Sequence, residues 1–213
     1  MATGIHAALA TDNFAVRPDL NSVYTLHTGQ FQVSSNLCND AQGGGILSDI
    51  VRNAEIYSNN QYAIIIVNTV ASGAATAGVI VRATNNGGWG YYKFYTDGAT
   101  GSGHCALAVF DQGSGVTEIQ AFGSNAPGNG DTICLEAIGT TIRCFKNGTQ
   151  LGTDQISSYW TQGTPGLMGV NNGIWGSAEF GNVIVVPATN YPDYSKQPPF
   201  LRSSLRPYVT VSR

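Results

Sequence analysis

The carboxylates are the residues of this sequence that could carry acid–base chemistry, but their spacing does not favour it. Two carboxylates placed two positions apart on a strand project from one face, which suits the acid and nucleophile of a glycoside hydrolase. No two of the 13 acidic residues have that spacing. The sequence therefore predicts no catalytic residues and no enzyme activity. The four glutamates, which lie far apart, are Glu55, Glu118, Glu136 and Glu179.

The three histidines form no motif for catalysis or metal binding. None lies in a nucleophile elbow or in a zinc-binding pattern. His27 and His104 are close to turn residues, and His6 lies near the N-terminus. We expect surface or capping histidines, and we predict no metal site and no cofactor.

The four cysteines are expected to be buried thiols, because no Cys-x-x-Cys pair indicates a zinc site. Cys134 and Cys144 flank a predicted hairpin with its turn at Gly139-Thr140. In that register Cys144 faces Leu135 and Cys134 faces Phe145, which puts the two sulfurs on opposite faces of the sheet. A disulfide between them is therefore not expected. The other two cysteines are Cys38 and Cys105.

One aromatic strand is a candidate for carbohydrate binding. Between Trp89 and Tyr95, alternation places Tyr92 and Phe94 on one face and the remaining large side chains, Lys93 included, on the other. If Tyr92 and Phe94 point into the core, the opposite face offers rings on which a flat sugar could stack. The alternative is ordinary packing under a loop or a partner subunit. The glycan-contact candidates are Trp89, Tyr91, Tyr95, Trp160 and Trp175.

Strands must position these side chains, because alternation is the dominant period and no sustained helical repeat of apolar residues is found. The chain has 27 glycines and only 11% charged residues. Short β-branched and aromatic runs between Gly, Asn, Asp and Ser turns favour a sandwich over alternating βαβ units. The predicted strands are 62–67, 78–83, 89–95, 104–110, 116–122, 132–138, 141–146, 149–152, 166–170 and 178–186.

Both ends of the chain are predicted to lie outside a sandwich that occupies residues 12–187. We interpret residues 1–11 as a short N-terminal arm. From Pro187 onward come five of the eight prolines, which cannot donate to a sheet ladder. Residues 188–213 are therefore expected to form a Pro-rich arm, either a disordered terminus or a segment that docks on a neighbouring subunit. Four apolar residues, Phe200, Leu201, Leu205 and Tyr208, favour docking.

Charge and hydropathy argue against two classes of partner. The formal net charge is −3 and the ten basic residues do not cluster, so nucleic-acid binding is not expected. No stretch approaches the roughly 18 consecutive apolar residues of a membrane helix. The N-terminus has no signal-peptide pattern, and we expect synthesis in the cytoplasm without export.

Three stretches carry a family resemblance. Residues 12–14 and 29–36 are similar to an opening pair of strands in which Phe31 stands where Trp is frequent. Residues 78–83 and 90–94 are similar to two central strands. Residues 130–136, 146–148, 154–159 and 163–167 are similar to an ending of the form Gly-Asp-x-Leu-x-Leu-Glu, Asn-Gly, Asp-x-x-Tyr and Gly-x-x-Gly-Leu. Together they resemble laminin-G-like members of the concanavalin A-like lectin and glucanase superfamily.

The resemblance implies an all-β, two-sheet antiparallel jelly-roll sandwich. Members that cleave glucans carry Glu-x-Asp-x-Glu on one strand, and this sequence has no such triplet. Because such jelly rolls recur in phage structural proteins, the resemblance implies a virion protein: a bacteriophage capsid decoration or tail protein with a lectin-like, glycan-contacting domain. Its partners would be a capsid or tail protein, further copies of the chain and cell-surface glycans. The alternatives are a carbohydrate-binding module of a non-viral surface protein and, less favoured, a polysaccharide hydrolase.

Overall fold

The computed structural model describes residues 3–14, 20, 22–34, 37–40, 47–69, 76–85, 88–97, 104–170 and 174–186. The strands in these ranges are β1 (Thr3–Asn13), β2 (Tyr24–Thr28), β3 (Phe31–Ser34), β4 (Leu37–Asp40), β5 (Leu47–Arg52), β6 (Gln61–Thr69), β7 (Thr76–Asn85), β8 (Trp89–Asp97), β9 (His104–Asp111), β10 (Gly115–Ala121), β11 (Thr132–Ile138), β12 (Thr141–Lys146), β13 (Thr149–Ile156), β14 (Thr164–Val170) and β15 (Ile174–Val186). A 3₁₀ turn spans Gly123–Asn125. Within the described ranges, no helix has the length and apolarity to cross a membrane.

The strands form two antiparallel sheets, as the sequence predicted. Sheet A has the order β13-β12-β11-β6-β15-β4-β3, with β1 also paired to β15. Sheet B has the order β10-β9-β8-β7-β14-β5-β2. Each sheet mixes strands from both halves of the chain, which is why distant residues meet on its faces.

The main core fills the space between the sheets and follows the predicted alternation. Tyr92 and Phe94 of β8 point into it and are fully buried, which meets the condition for an aromatic row on the opposite face of this strand. The β11–β12 hairpin has the predicted bounds and contributes Leu135 and Ile142. Most other predicted strands are a few residues longer than expected, because ladder pairing continues past the alternating run at their centres.

The hairpin register also places the cysteines as predicted. Leu135 pairs with Cys144, and Cys134 pairs with Phe145. Cys144 lies in the main core, whereas Cys134 packs on the outer face of sheet A. Burial raises the pKa of both thiols well above the ordinary value, so they are poor nucleophiles and behave as small apolar groups.

The N-terminal segment needs a correction, because residues 3–11 are part of the sandwich and not an arm. They belong to β1, which pairs with β15 from Thr3↔Val186 to Asn13↔Ser177, with a bulge between Ala8 and Ala10. Alanine and glycine, which are depleted in strands, give this segment little strand propensity of its own. The ladder with β15 stabilises it instead, and at its end the buried carboxylate of Asp12 accepts hydrogen bonds from Tyr24 and Arg52.

A buried arginine, Arg82, joins three loops at one end of the sandwich by hydrogen bonds. Arg82 lies at a bulge in the pairing of β7 with β8 and has a positive φ of 56°. Its guanidinium donates to the carbonyl of Asn59 at 2.7 and 3.0 Å, of Gly139 at 2.6 Å and of Trp160 at 3.1 Å. The side chain is fully buried, and burial lowers its pKa. One cation therefore satisfies the carbonyls of three separate loops.

Candidate functional site

The outer face of sheet B carries a second apolar cluster around β8. We call it the aromatic face and define it by Trp89, Tyr91, Tyr95, Phe110, Ile80 and Met168. Its floor is buried, since Tyr91, Ile80 and Met168 are at most 1% exposed. Trp89, Tyr95 and Phe110 remain half-buried along the rim. An outer sheet face lined by rings differs from the alternating apolar and polar surface that an exposed sheet usually presents.

This face is concave. Neighbouring strands lie about 4.8 Å apart, so β8 and β2, four spacings apart, would be separated by about 19 Å in a flat sheet. The ring of His27 on β2 nevertheless lies 4.1 Å from the ring of Trp89 on β8, centroid to centroid. Asp49 on β5 likewise reaches Tyr91 across two intervening strands. Side chains from opposite walls can meet only if sheet B curves around this face.

A fixed polar set lies at the floor of the aromatic face. The Tyr91 hydroxyl donates to Oδ2 of Asp49 at 2.6 Å, and Nδ1 of His27 lies 2.5 Å from Oδ1 of the same carboxylate. Asp49 is completely buried, and this burial raises its pKa although both contacts and the backbone of Thr28 lower it. Burial and the neighbouring Asp49 also raise the pKa of Tyr91. The three side chains come from three different strands, so the fold fixes their relative orientation before a ligand binds.

Lys93 lies on the same face, between Tyr91 and Tyr95 along β8. Its ammonium sits 4.7 Å from the centroid of the Tyr95 ring, within the range of a cation–π contact. Burial lowers the pKa of Lys93 from 10.5 to about 8, although Asp49 raises it. Lys93 therefore still carries its positive charge at neutral pH.

The structure brings three of the five predicted glycan-contact residues together. Trp89, Tyr91 and Tyr95 share the aromatic face. Trp160 does not: its ring packs against the backbone of Gly90, where a Cβ would lie 2.0 Å from its Cζ2 atom, and against the main core. Trp175 belongs to β15, but its side chain is not among those described. The predicted docking residues Phe200, Leu201, Leu205 and Tyr208 lie outside the described residues.

Sequence reasoning missed Asp49 and His27. Residues 47–52 were not predicted as a strand, although Ile50 and Arg52 point inward and Asp49 and Val51 point outward on β5. His27 was expected at the surface or at a cap, but its side chain is only 10% exposed and faces Asp49. The apolar pair Ile50-Val51 beside an acidic residue was the one local signal of a buried strand carrying a polar group.

The outer face of sheet A holds a second polar cluster, whose side chains contact one another. The His6 ring stacks on Tyr62 at 4.0 Å, and its Nε2 lies 2.8 Å from Oε2 of Glu136. Arg143 donates to Glu136 at 3.2 Å and to Asp154 at 2.9 Å, and lowers the pKa of Asp154. Among the described residues, no group of three or more His, Cys, Asp or Glu side chains could hold a metal ion.

These features define the class of fold: a two-sheet, galectin-like and concanavalin A-like jelly roll with one concave aromatic face. No protein-family model matches the chain. No curated protein is similar to it in sequence.

Solved structures share the fold at low sequence identity. The carbohydrate-binding module CBM66 from Bacillus subtilis is 18% identical, with a TM-score of 0.55 over 75% of this chain and 92% of the module. A Bacillus subtilis protein of unknown function with a galectin-like fold is 10% identical, with a TM-score of 0.60 over 87% of this chain and 100% of that one. The catalytic domain of a laminarinase from Thermotoga petrophila RKU-1 is 6% identical, with a TM-score of 0.60 over 87% and 100%. Carbohydrate-binding modules and glucanases therefore share this fold, and function depends on the site.

Proposed function

We propose that this chain is a non-catalytic carbohydrate-binding protein whose glycan site is the aromatic face of sheet B. The observation that carries the proposal is the concave row of Trp89, Tyr95 and Phe110 above a fixed polar floor. Half-buried rings offer flat apolar area at a small entropic cost, and sugars stack on such rings. The similarity in fold to a carbohydrate-binding module and to a laminarinase catalytic domain supports the same class of ligand.

The polar floor supports binding and not hydrolysis. A glycosidase of the usual type needs two carboxylates, one on each side of the scissile bond. Asp49 is held by Tyr91 and His27, and burial, not a second carboxylate, is the main cause of its raised pKa. Glu118, on the edge strand β10, lies 3.1 Å from His104 and is half exposed. We therefore assign Asp49 to orienting Tyr91 and His27 and not to acid–base chemistry.

Replacing Trp89 by alanine is expected to weaken glycan binding about tenfold or more, because central aromatic residues carry most of the energy of a binding site. The measurement is calorimetric titration with soluble neutral and acidic polysaccharides, laminarin included. Tyr159→Ala is the matched control, since Tyr159 is 66% exposed and lies outside the aromatic face. Equal losses in both variants, or no binding by the unmodified protein to any polysaccharide, would contradict the proposal.

A place in a phage capsid or tail stays a prediction that follows from the resemblance alone. The docking of residues 188–213 on a partner or on a second copy is likewise a prediction from their apolar side chains. Both are compatible with a glycan site on sheet B, because neither requires the aromatic face.

A further inference from the structure

Lys93 is the buried charged residue of the aromatic face that lacks a polar partner. It is 6% exposed, and its ammonium lies over the face of the Tyr95 ring, 4.7 Å from the ring centroid. Within the described ranges, neither a hydrogen bond nor an ion pair engages this ammonium. The other buried cations differ: Arg52 pairs with two carboxylates, and Arg82 is satisfied by carbonyls.

An ammonium in this position destabilises the fold, because a charge that is almost completely buried and has no acceptor in the described part of the protein loses most of its hydration. The charge of Asp49 raises the pKa of Lys93, but the oxygens of this carboxylate already contact Tyr91 and His27. Its partners on the two adjacent strands, Ile80 on β7 and Ala108 on β9, have no polar side-chain atom. A ligand on the concave face would therefore supply the missing acceptor for Lys93.

We propose that Lys93 binds the anionic substituent, a uronate carboxylate or a sulfate ester, of an acidic polysaccharide on the aromatic face. This inference rests on the proposed function and specifies its ligand class. The ring of Tyr95 would hold the plane of this sugar while the ammonium donates to the anion, and Trp89, six residues away along β8, would contact another unit of the polysaccharide. The same geometry disfavours a neutral glycan, which leaves the ammonium without a charged partner.

The test compares two pairs of polymers that differ in charge. The first pair is polygalacturonate and its methyl ester, and the second is dextran sulfate and dextran. The protein is expected to bind the anionic member of at least one pair about 10- to 100-fold more tightly than the neutral member. A gain of this size is what one charge-assisted hydrogen bond contributes. The first pair reports a carboxylate site, and the second reports a sulfate site.

Two variants at Lys93 and one control variant distinguish binding of the anion at Lys93 from non-specific electrostatic attraction. In Lys93→Met and Lys93→Gln, the affinity ratio within the pair is expected to fall to about one. Lys146→Met removes the same charge from sheet A, where Lys146 pairs with Asp131 at 3.1 Å, and should keep the ratio.

The outcomes distinguish this inference from the proposed function. Binding without any preference for the anionic polymer, or a preference that survives in both Lys93 variants, would overturn the acidic ligand and leave glycan binding intact. Failure to bind any polysaccharide, neutral or acidic, would overturn both.

Discussion

Replacing Arg82 by lysine is expected to lower the free energy of unfolding by about 3–5 kcal/mol. The planar guanidinium reaches the carbonyls of Asn59, Gly139 and Trp160 from one fixed position. A lysine ammonium at this site has three donors around one atom and cannot reach all three loops. The carbonyls that lose their donor remain buried without a partner, which adds the penalty of unsatisfied groups.

The measurement is denaturant unfolding of the variant, with thermal unfolding as a second readout. For a chain of this size we expect the melting temperature to fall by about 10 °C. Arg143→Lys is the control, because Arg143 lies on the outer face of sheet A and a lysine can still pair with Asp154 there. Its loss should be about 1 kcal/mol or less. A loss of that small size for Arg82→Lys would show that the arginine does not join the loops.

Replacing Lys93 by methionine is expected to stabilise the fold by about 2–3 kcal/mol at pH 7. Burial holds the pKa of Lys93 at about 8 in the folded protein, against 10.5 for an ordinary lysine. Between these values the unfolded chain binds more protons than the folded one, so the stability of the unmodified protein rises with pH. Below pH 8 the ammonium is charged in both states, and its full destabilising effect is present.

The measurement is the difference in unfolding free energy between the unmodified protein and Lys93→Met from pH 7 to 10. Taking the difference removes the contribution of the tyrosines, such as Tyr91, whose pKa is raised by burial. The advantage of the variant should shrink steadily above pH 8. A variant that is less stable at pH 7, or a difference that does not change with pH, would mean that Lys93 is compensated within the fold. Greater stability with weaker acidic-glycan binding would identify a residue retained for function.

Local patterns were sufficient to predict much of the fold. The β11–β12 hairpin was predicted with its register because the turn residues and the alternation both lie within 15 consecutive residues. Alternation alone predicted that Tyr92 and Phe94 share one face of β8, and the structure shows that this face is the one in the core. β1 was missed because its alanines carry no strand signal, and its stability comes from β15 at the other end of the sequence.

The site was only half predictable, for a topological reason. The aromatic rings of β8 follow one another along the chain, so alternation places them on one face. Asp49 contacts Tyr91, 42 residues away, and His27, 22 residues away, and these contacts depend on strand order and curvature. Local sequence patterns specify neither property. The left-handed backbone of Arg82 was similarly unpredictable, because only the surrounding loops stabilise that conformation in a non-glycine residue.

Glycan binding at the aromatic face is tested most directly by mapping backbone amide shifts of the ¹⁵N-labelled protein during titration with an oligosaccharide of the tightest-binding polysaccharide. The expected result is a set of shifts centred on Trp89, Tyr91 and Lys93 of β8, extending to Asp49 and His27 on the opposite wall. Sheet A, including Glu136 and Arg143, should not respond. Shifts centred on sheet A, or on the loops joined by Arg82, would place the site elsewhere and contradict glycan binding at the aromatic face.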